Sequence, residues 1–179
     1  LVTVSSVGLV DNLDDLKLPS DSVLPHVRTD IVQYLKQSRG FSIRRMQFNY
    51  FSELGKNFYG KISGGIFESM FNGIGGELLY RPFNKDYAVG IEAWQVYQRE
   101  YDQMFELRDY KTITGHATFY YQEPRSNVLL KIKGGKYLAK DSGFTFDVSR
   151  EFRSGVRMGA FFSRTDISAA EFGEGSFDK

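Results

Sequence analysis

Side chains able to do chemistry are sparse in this 179-residue chain. Cysteine is absent, which removes disulfides, thiolate metal sites and thiol nucleophiles together. There are two histidines. His116 stands between Thr114 and Thr118, where an imidazole would suit a general base. No serine lies at a diagnostic spacing from it, and no second histidine can complete a zinc site. A hydrogen-bonded interior histidine is therefore the favoured reading, and His26 reads as a surface residue. Glu77 and Glu92 are carboxylates that adjacent strands could bring together, as glycoside hydrolysis requires. The preferred reading is plainer: a charge network with Arg45, Lys61, Arg81, Lys131, Lys133 and Arg157, because unpaired buried charge is costly.

Other glycine-rich or acidic runs fail on context. Gly73-Ile74-Gly75-Gly76-Glu77 lacks the Gly-Lys-Ser/Thr ending and following helix of a phosphate loop, and Gly134-Gly135-Lys136 fails likewise. Asp11 to Asp15 (DNLDD) lacks the glycine and terminal glutamate of a calcium loop. No metal and no cofactor is expected. A net charge of +1 gives no sign of nucleic-acid binding. The best interaction candidate is Tyr97 to Tyr110 (YQREYDQMFELRDY). Tyr97, Tyr101 and Phe105 beside Arg99, Asp102 and Arg108 would suit sugar rings, whose C–H faces stack on aromatics while hydroxyls seek polar partners. The same residues could equally form a folded cap that pairs with itself.

The elements that must hold these side chains are mostly strands. Aromatics make up 16% of the chain, nearly all Phe and Tyr, a composition that suits a pleated, half-buried surface. Leu1 to Val10 reads as a strand. Pro25 to Arg39 carries Val27, Ile31, Tyr34 and Leu35 on one helical face, between a proline start and a glycine stop, and predicts one amphipathic helix. Past Gly40 the period is two, with strands expected at about 41–52, 56–68, 74–83, 87–98, 109–122, 127–139, 143–152 and 154–165. Tight turns (54–56, 84–86, 124–126, 153–155) alternate with mostly longer connections, as in an up-and-down barrel. The expected organisation is a segment 1–40 of strand, acidic linker and helix, followed by a barrel region 41–179 belonging to a longer barrel.

Alternate residues form an apolar set (Met46, Phe48, Tyr50, Ile62, Ile91, Phe119, Leu130, Ile132, Phe146, Phe162 among others) and a polar one containing Arg45, Gln47, Lys61, Glu77, Glu92, His116, Lys131, Lys133, Asp147 and Arg157. A soluble lipocalin-like barrel points the apolar set inward, and a membrane barrel points it out. Strands of about 10–13 residues suffice to cross a bilayer at a tilt. Aromatics gather near strand ends, as an interfacial girdle requires. The fold expected is an all-β, antiparallel up-and-down transmembrane barrel with one short amphipathic helix.

Leu16 to Leu35 (LKLPSDSVLPHVRTDIVQYL), Gly73 to Phe83 (GIGGELLYRPF), Gln98 to Phe105 (QREYDQMF) and Phe172 to Lys179 (FGEGSFDK) resemble the YjbH/WbfB family of outer-membrane proteins, which includes GfcD-type capsule proteins. The resemblance implies a role in exopolysaccharide or capsule production and export in Gram-negative bacteria. It also implies a location in the outer membrane, with lipid, an extracellular polysaccharide and other secretion components as partners. Family members are often lipoproteins, and the family supplies no agreed catalytic residues. The expectation is a non-enzymatic export barrel. The alternatives are a barrel enzyme acting on polysaccharide or lipid, using His116 and an acidic partner, and a soluble ligand-binding barrel.

Overall fold

The computed structural model describes residues 1–17, 22–168 and 171. The run Phe172 to Lys179 and part of Leu16 to Leu35 lie outside them. Nine strands follow one another: β1 (Val2–Val7), β2 (Phe41–Gly55), β3 (Phe58–Ile66), β4 (Phe71–Tyr80), β5 (Tyr87–Arg99), β6 (Leu107–Glu123), β7 (Val128–Lys136), β8 (Ser142–Glu151) and β9 (Arg157–Thr165). Each pairs antiparallel with the next, and spatial order equals sequence order. All eight strands expected after Gly40 are present, and β1 pairs with β2 rather than standing apart. The sheet is open, however: β1 and β9 do not pair, so the described residues do not close a barrel.

Turn chemistry explains the meander. Each short turn places one residue at positive φ: Asn57 (71°), Asn84 (56°), Asn127 (56°) and Gly155 (82°). Asparagine and glycine tolerate that region best, so each turn folds back tightly at a set position. These turns share one rim. The opposite rim carries the β1–β2 linker, 67–70, 100–106 and 137–141.

The expected helix is shorter than its hydrophobic period suggested. Helix α1 spans Ile31–Gln37, and 27–30 are turns and bends. His26 braces the approach to the helix: its Nδ1 pairs with Asp30 at 2.7 Å and its Nε2 meets the Ser22 carbonyl at 3.3 Å. Seven residues make a helix that cannot persist alone. It is held by docking on the long-connection rim, where Tyr34 is fully buried and Val27 nearly so. Ile31, expected on the same stripe, stays exposed. The core formed there joins Val27, Tyr34, Met70, Phe71, Val96 and Ala139, flanked by Phe67, Trp94 and Tyr110.

Of the two faces of the sheet, the apolar one is the more exposed. Register carries the apolar set across the whole wall: Tyr50↔Ile62, Leu78↔Ile91, Val89↔Phe119, Phe119↔Ile132, Ile132↔Phe146 and Phe146↔Phe162. Ile62 is 59% exposed, Ile91 55% and Met158 64%. On the other face Ser63, Thr114, Thr118 and Ser149 are buried. A closed lipocalin-like barrel would place the apolar set inward; in this open sheet the polar set is the more buried. Among the described residues no helix is long and apolar enough to cross a membrane.

Candidate functional site

The polar face gathers the titratable residues into short rows. Register sets Lys61 against Glu77, Glu77 against Glu92, and Glu92 against His116. Two carboxylates thus meet side by side, which is unfavourable unless each finds a partner elsewhere. Each has a hydrogen-bonding partner. Lys61 Nζ lies 2.6 Å from Glu77, and His116 Nδ1 lies 2.8 Å from Glu92. A second row pairs Lys131 with Asp147 at 3.4 Å. Between the rows, Ser63 donates to Asn49, and the hydroxyls of Tyr137, Thr145 and Ser163 form a chain.

His116 sits with 8% of its side chain exposed, edge-on to the Tyr137 ring at 4.7 Å. Gly135 stands opposite it in register at a φ of 154°, with its missing Cβ leaving room for the β6 backbone. The Glu92–His116 pair has the base–orienter geometry of hydrolytic sites. Its Nε2 meets no hydrogen-bond partner among the described residues, so no nucleophile is aligned with it.

The charge network expected from sequence is only partly assembled. Lys61, Glu77, Glu92, His116, Lys131 and Asp147 form pairs rather than one web. Lys133 lies over the Tyr137 ring at 5.4 Å, and Arg157 donates to Ser149 Oγ at 2.8 Å. Arg45 and Arg81 are at the rims instead: both are exposed, and Arg45 Nε donates to the Phe67 carbonyl at 3.0 Å. Arg81 directly follows the last residue of β4, and Arg45, although inside β2, reaches the β3–β4 connection.

The stretch Tyr97 to Tyr110 is largely the folded cap. β5 runs through Arg99 and β6 starts at Leu107, leaving 100–106 as the connection. Tyr97 is in the wall, where its hydroxyl accepts from Gln95. Arg99 is 1% exposed and out of reach of any polymer. Its guanidinium donates to the carbonyls of Ile43, Glu68, Ser69, Gln103 and Met104, gathering two connections and the start of β2 around one charge. Tyr34 donates to the Arg99 carbonyl at 2.6 Å, and Gln103 Nε2 donates to the Tyr34 carbonyl and to Ser38. Burial pushes the Tyr34 hydroxyl up to about 12. Tyr101 donates to Asp30 at 2.9 Å and packs edge-on against Tyr34, with Arg108 over its ring at 4.1 Å. Burial, then this bond to Asp30, raises the Tyr101 hydroxyl as well. Asp102 accepts from the Met104 amide, and Phe105 remains 61% exposed.

Sequence reasoning missed the clamp on Arg99. Two of its acceptors lie 56 and 31 positions away, and any carbonyl can accept, so no local pattern announces it.

Sheet and surface together define an all-β meander protein with a sheltered, charge-paired polar face and a bare apolar one. The family model YjbH, described as "Exopolysaccharide biosynthesis protein YbjH", matches residues 2–179, and the chain belongs to that family. The uncharacterized lipoprotein YjbH of Escherichia coli (strain K12) is 39% identical over 188 residues, which cover 100% of this chain and 27% of that protein. The chain therefore spans well under two thirds of this relative's length. No solved structure shows a significant match.

Replacing Arg99 by Leu should undock the long-connection rim. Several buried carbonyls lose their donor at about 1–3 kcal/mol each, so the local loss should be about 3 kcal/mol or more. Limited proteolysis checks this: cleavage between Ser38 and Phe41 should become rapid in the variant and stay slow in the parent.

Proposed function

We propose that this chain forms part of the wall of an outer-membrane β-barrel that supports exopolysaccharide assembly or export and turns over no substrate. The family assignment supplies the polysaccharide context. The observation that carries the membrane reading is the exposure of the apolar face. Bare Phe48, Ile62, Ile91, Ile113 and Met158 are costly against water and suited to hydrocarbon. Strands β2 to β9 have 9 to 17 residues, enough to span at a tilt.

Strand parity then constrains closure. In an antiparallel meander β1 and β9 run the same way, so they cannot close on each other antiparallel. An odd number of further strands is required to complete an even-stranded wall. The polar face becomes the lumen lining. Its cations and carboxylates neutralise one another there, leaving hydroxyls, amides and Lys133 to meet a hydrated polymer. Other components of the secretion system would feed or receive that polymer at the rims.

The Glu92–His116 pair is the one observation favouring an enzyme instead. The two readings separate in cells that secrete the polymer. His116→Gln keeps a donor for Glu92 but abolishes base chemistry, and secretion should stay near the parent level. Loss of secretion with normal folding would support the enzyme. The wall itself is tested by insertion into liposomes. Ile62→Arg and Leu130→Arg should each cost about 2–4 kcal/mol near the bilayer midplane, while Gln47→Arg and Lys133→Arg should insert normally. Equal insertion of all four variants would sink the assignment of the outer face.

A further inference from the structure

The short-turn rim carries arginines that the function above does not use. The β6–β7 and β8–β9 turns border one groove, lined in part by Arg125, Asn127, Arg150, Glu151, Phe152 and Arg153. Asn127 ties the two turns together, its Nδ2 donating to the Glu151 carbonyl at 3.1 Å. Three guanidiniums therefore share one groove, and among the described residues none is paired with a carboxylate. Glu123, the carboxylate at the base of the first turn, is occupied. It accepts from the Ser126 amide and hydroxyl and from the Arg125 amide.

Position separates Arg150 from Glu151. Arg150 stands in register between Val128 and Met158 on the apolar face, whereas Glu151 faces Arg157 on the polar side. Arg150 also lies over the Phe152 ring at 5.0 Å. An arginine bordered by apolar wall and open at a strand end can lay its stem along hydrocarbon and hold its charge at headgroup depth. Guanidinium groups there present paired N–H donors that match phosphate oxygens.

We propose that this groove binds the phosphodiester of an anionic phospholipid. The proposal rests on the membrane-wall reading and adds a specific lipid contact to it. An acidic polysaccharide carries similar charge, but it would follow the polar face, and Arg150 is on the other one.

The test uses the whole protein that contains this chain, so that the wall is complete, in phosphatidylcholine nanodiscs, with spin-labelled phosphatidylglycerol or spin-labelled phosphatidylcholine as reporter. Phosphatidylglycerol should be preferentially immobilised. The preference should fall roughly fivefold per arginine on Arg125→Gln, Arg150→Gln and Arg153→Gln, the worth of one cation near an anionic headgroup. The corresponding triple lysine variant keeps the charge and should retain the preference. Equal preference in the parent and the triple glutamine variant overturns the proposal. Displacement of the reporter by inorganic phosphate, or by polygalacturonate, also overturns it and assigns the groove to a free anion or to polymer. Insertion without any lipid preference sinks this proposal alone, whereas failure to insert removes the wall reading and this one with it.

Discussion

The structure depends on register. In a strand the side chains alternate with a period of two, so a one-residue slip between neighbours would send every apolar group to the opposite face. From β2 to β9 the strands keep one phase: the shifts at Glu53/Gly55 and Tyr97/Arg99 fall near strand ends, and only the shift at Val4/Ser5 lies inside a strand, at the outer strand β1. That phase puts Tyr50, Ile62, Ile91, Phe119, Ile132 and Phe146 on one surface, and it sets Glu77 beside Glu92 with Lys61 on one flank and His116 on the other. Asparagine or glycine at positive φ in each short turn helps maintain it, because the turn fixes where the next strand begins.

Short turns cannot hold the other rim, where the connections are longer and the backbone has more freedom. There the chain uses a buried charge. Arg99 is costly to desolvate without a carboxylate, and the cost is offset by carbonyls from separate connections that would otherwise lack donors. Through Gln103 and Tyr34 the same cluster seats α1 over the polar face. One rim is therefore specified locally by turn residues and the other by a long-range clamp, a division that suits a wall whose two ends face different surroundings.

Much of this was legible in the sequence. The period of two from Phe41 onward, the placement of the turns and the composition of the faces follow from residue type alone. Each rests on interactions between near neighbours. The helix was overextended because Val27 and Ile31 continue a helical period across Asp30, where the observed helix is capped. Arg99 read as a sugar contact because an exposed arginine among tyrosines and a buried one look alike in sequence, and its distant acceptors leave no local trace. The Glu92–His116 pair was half visible: the residues were singled out, but their pairing needed the β5–β6 register. Closure was not legible at all, since the parity of a wall is set by strands counted in space.

The central claim is that the apolar face meets lipid and the polar face meets water. The absence of cysteine makes it open to a direct measurement, since single-cysteine substitutions can be spin-labelled one at a time. A scan through β7 of the chain in bilayers, reading accessibility to oxygen and to a water-soluble nickel chelate, resolves both faces. Oxygen accessibility should peak at Val128, Leu130 and Ile132, and chelate accessibility at Leu129, Lys131 and Lys133. Opposite phases of the two signals, in the order given, are what this structure predicts. The reverse order, or equal exposure of both sets to the chelate, would contradict it.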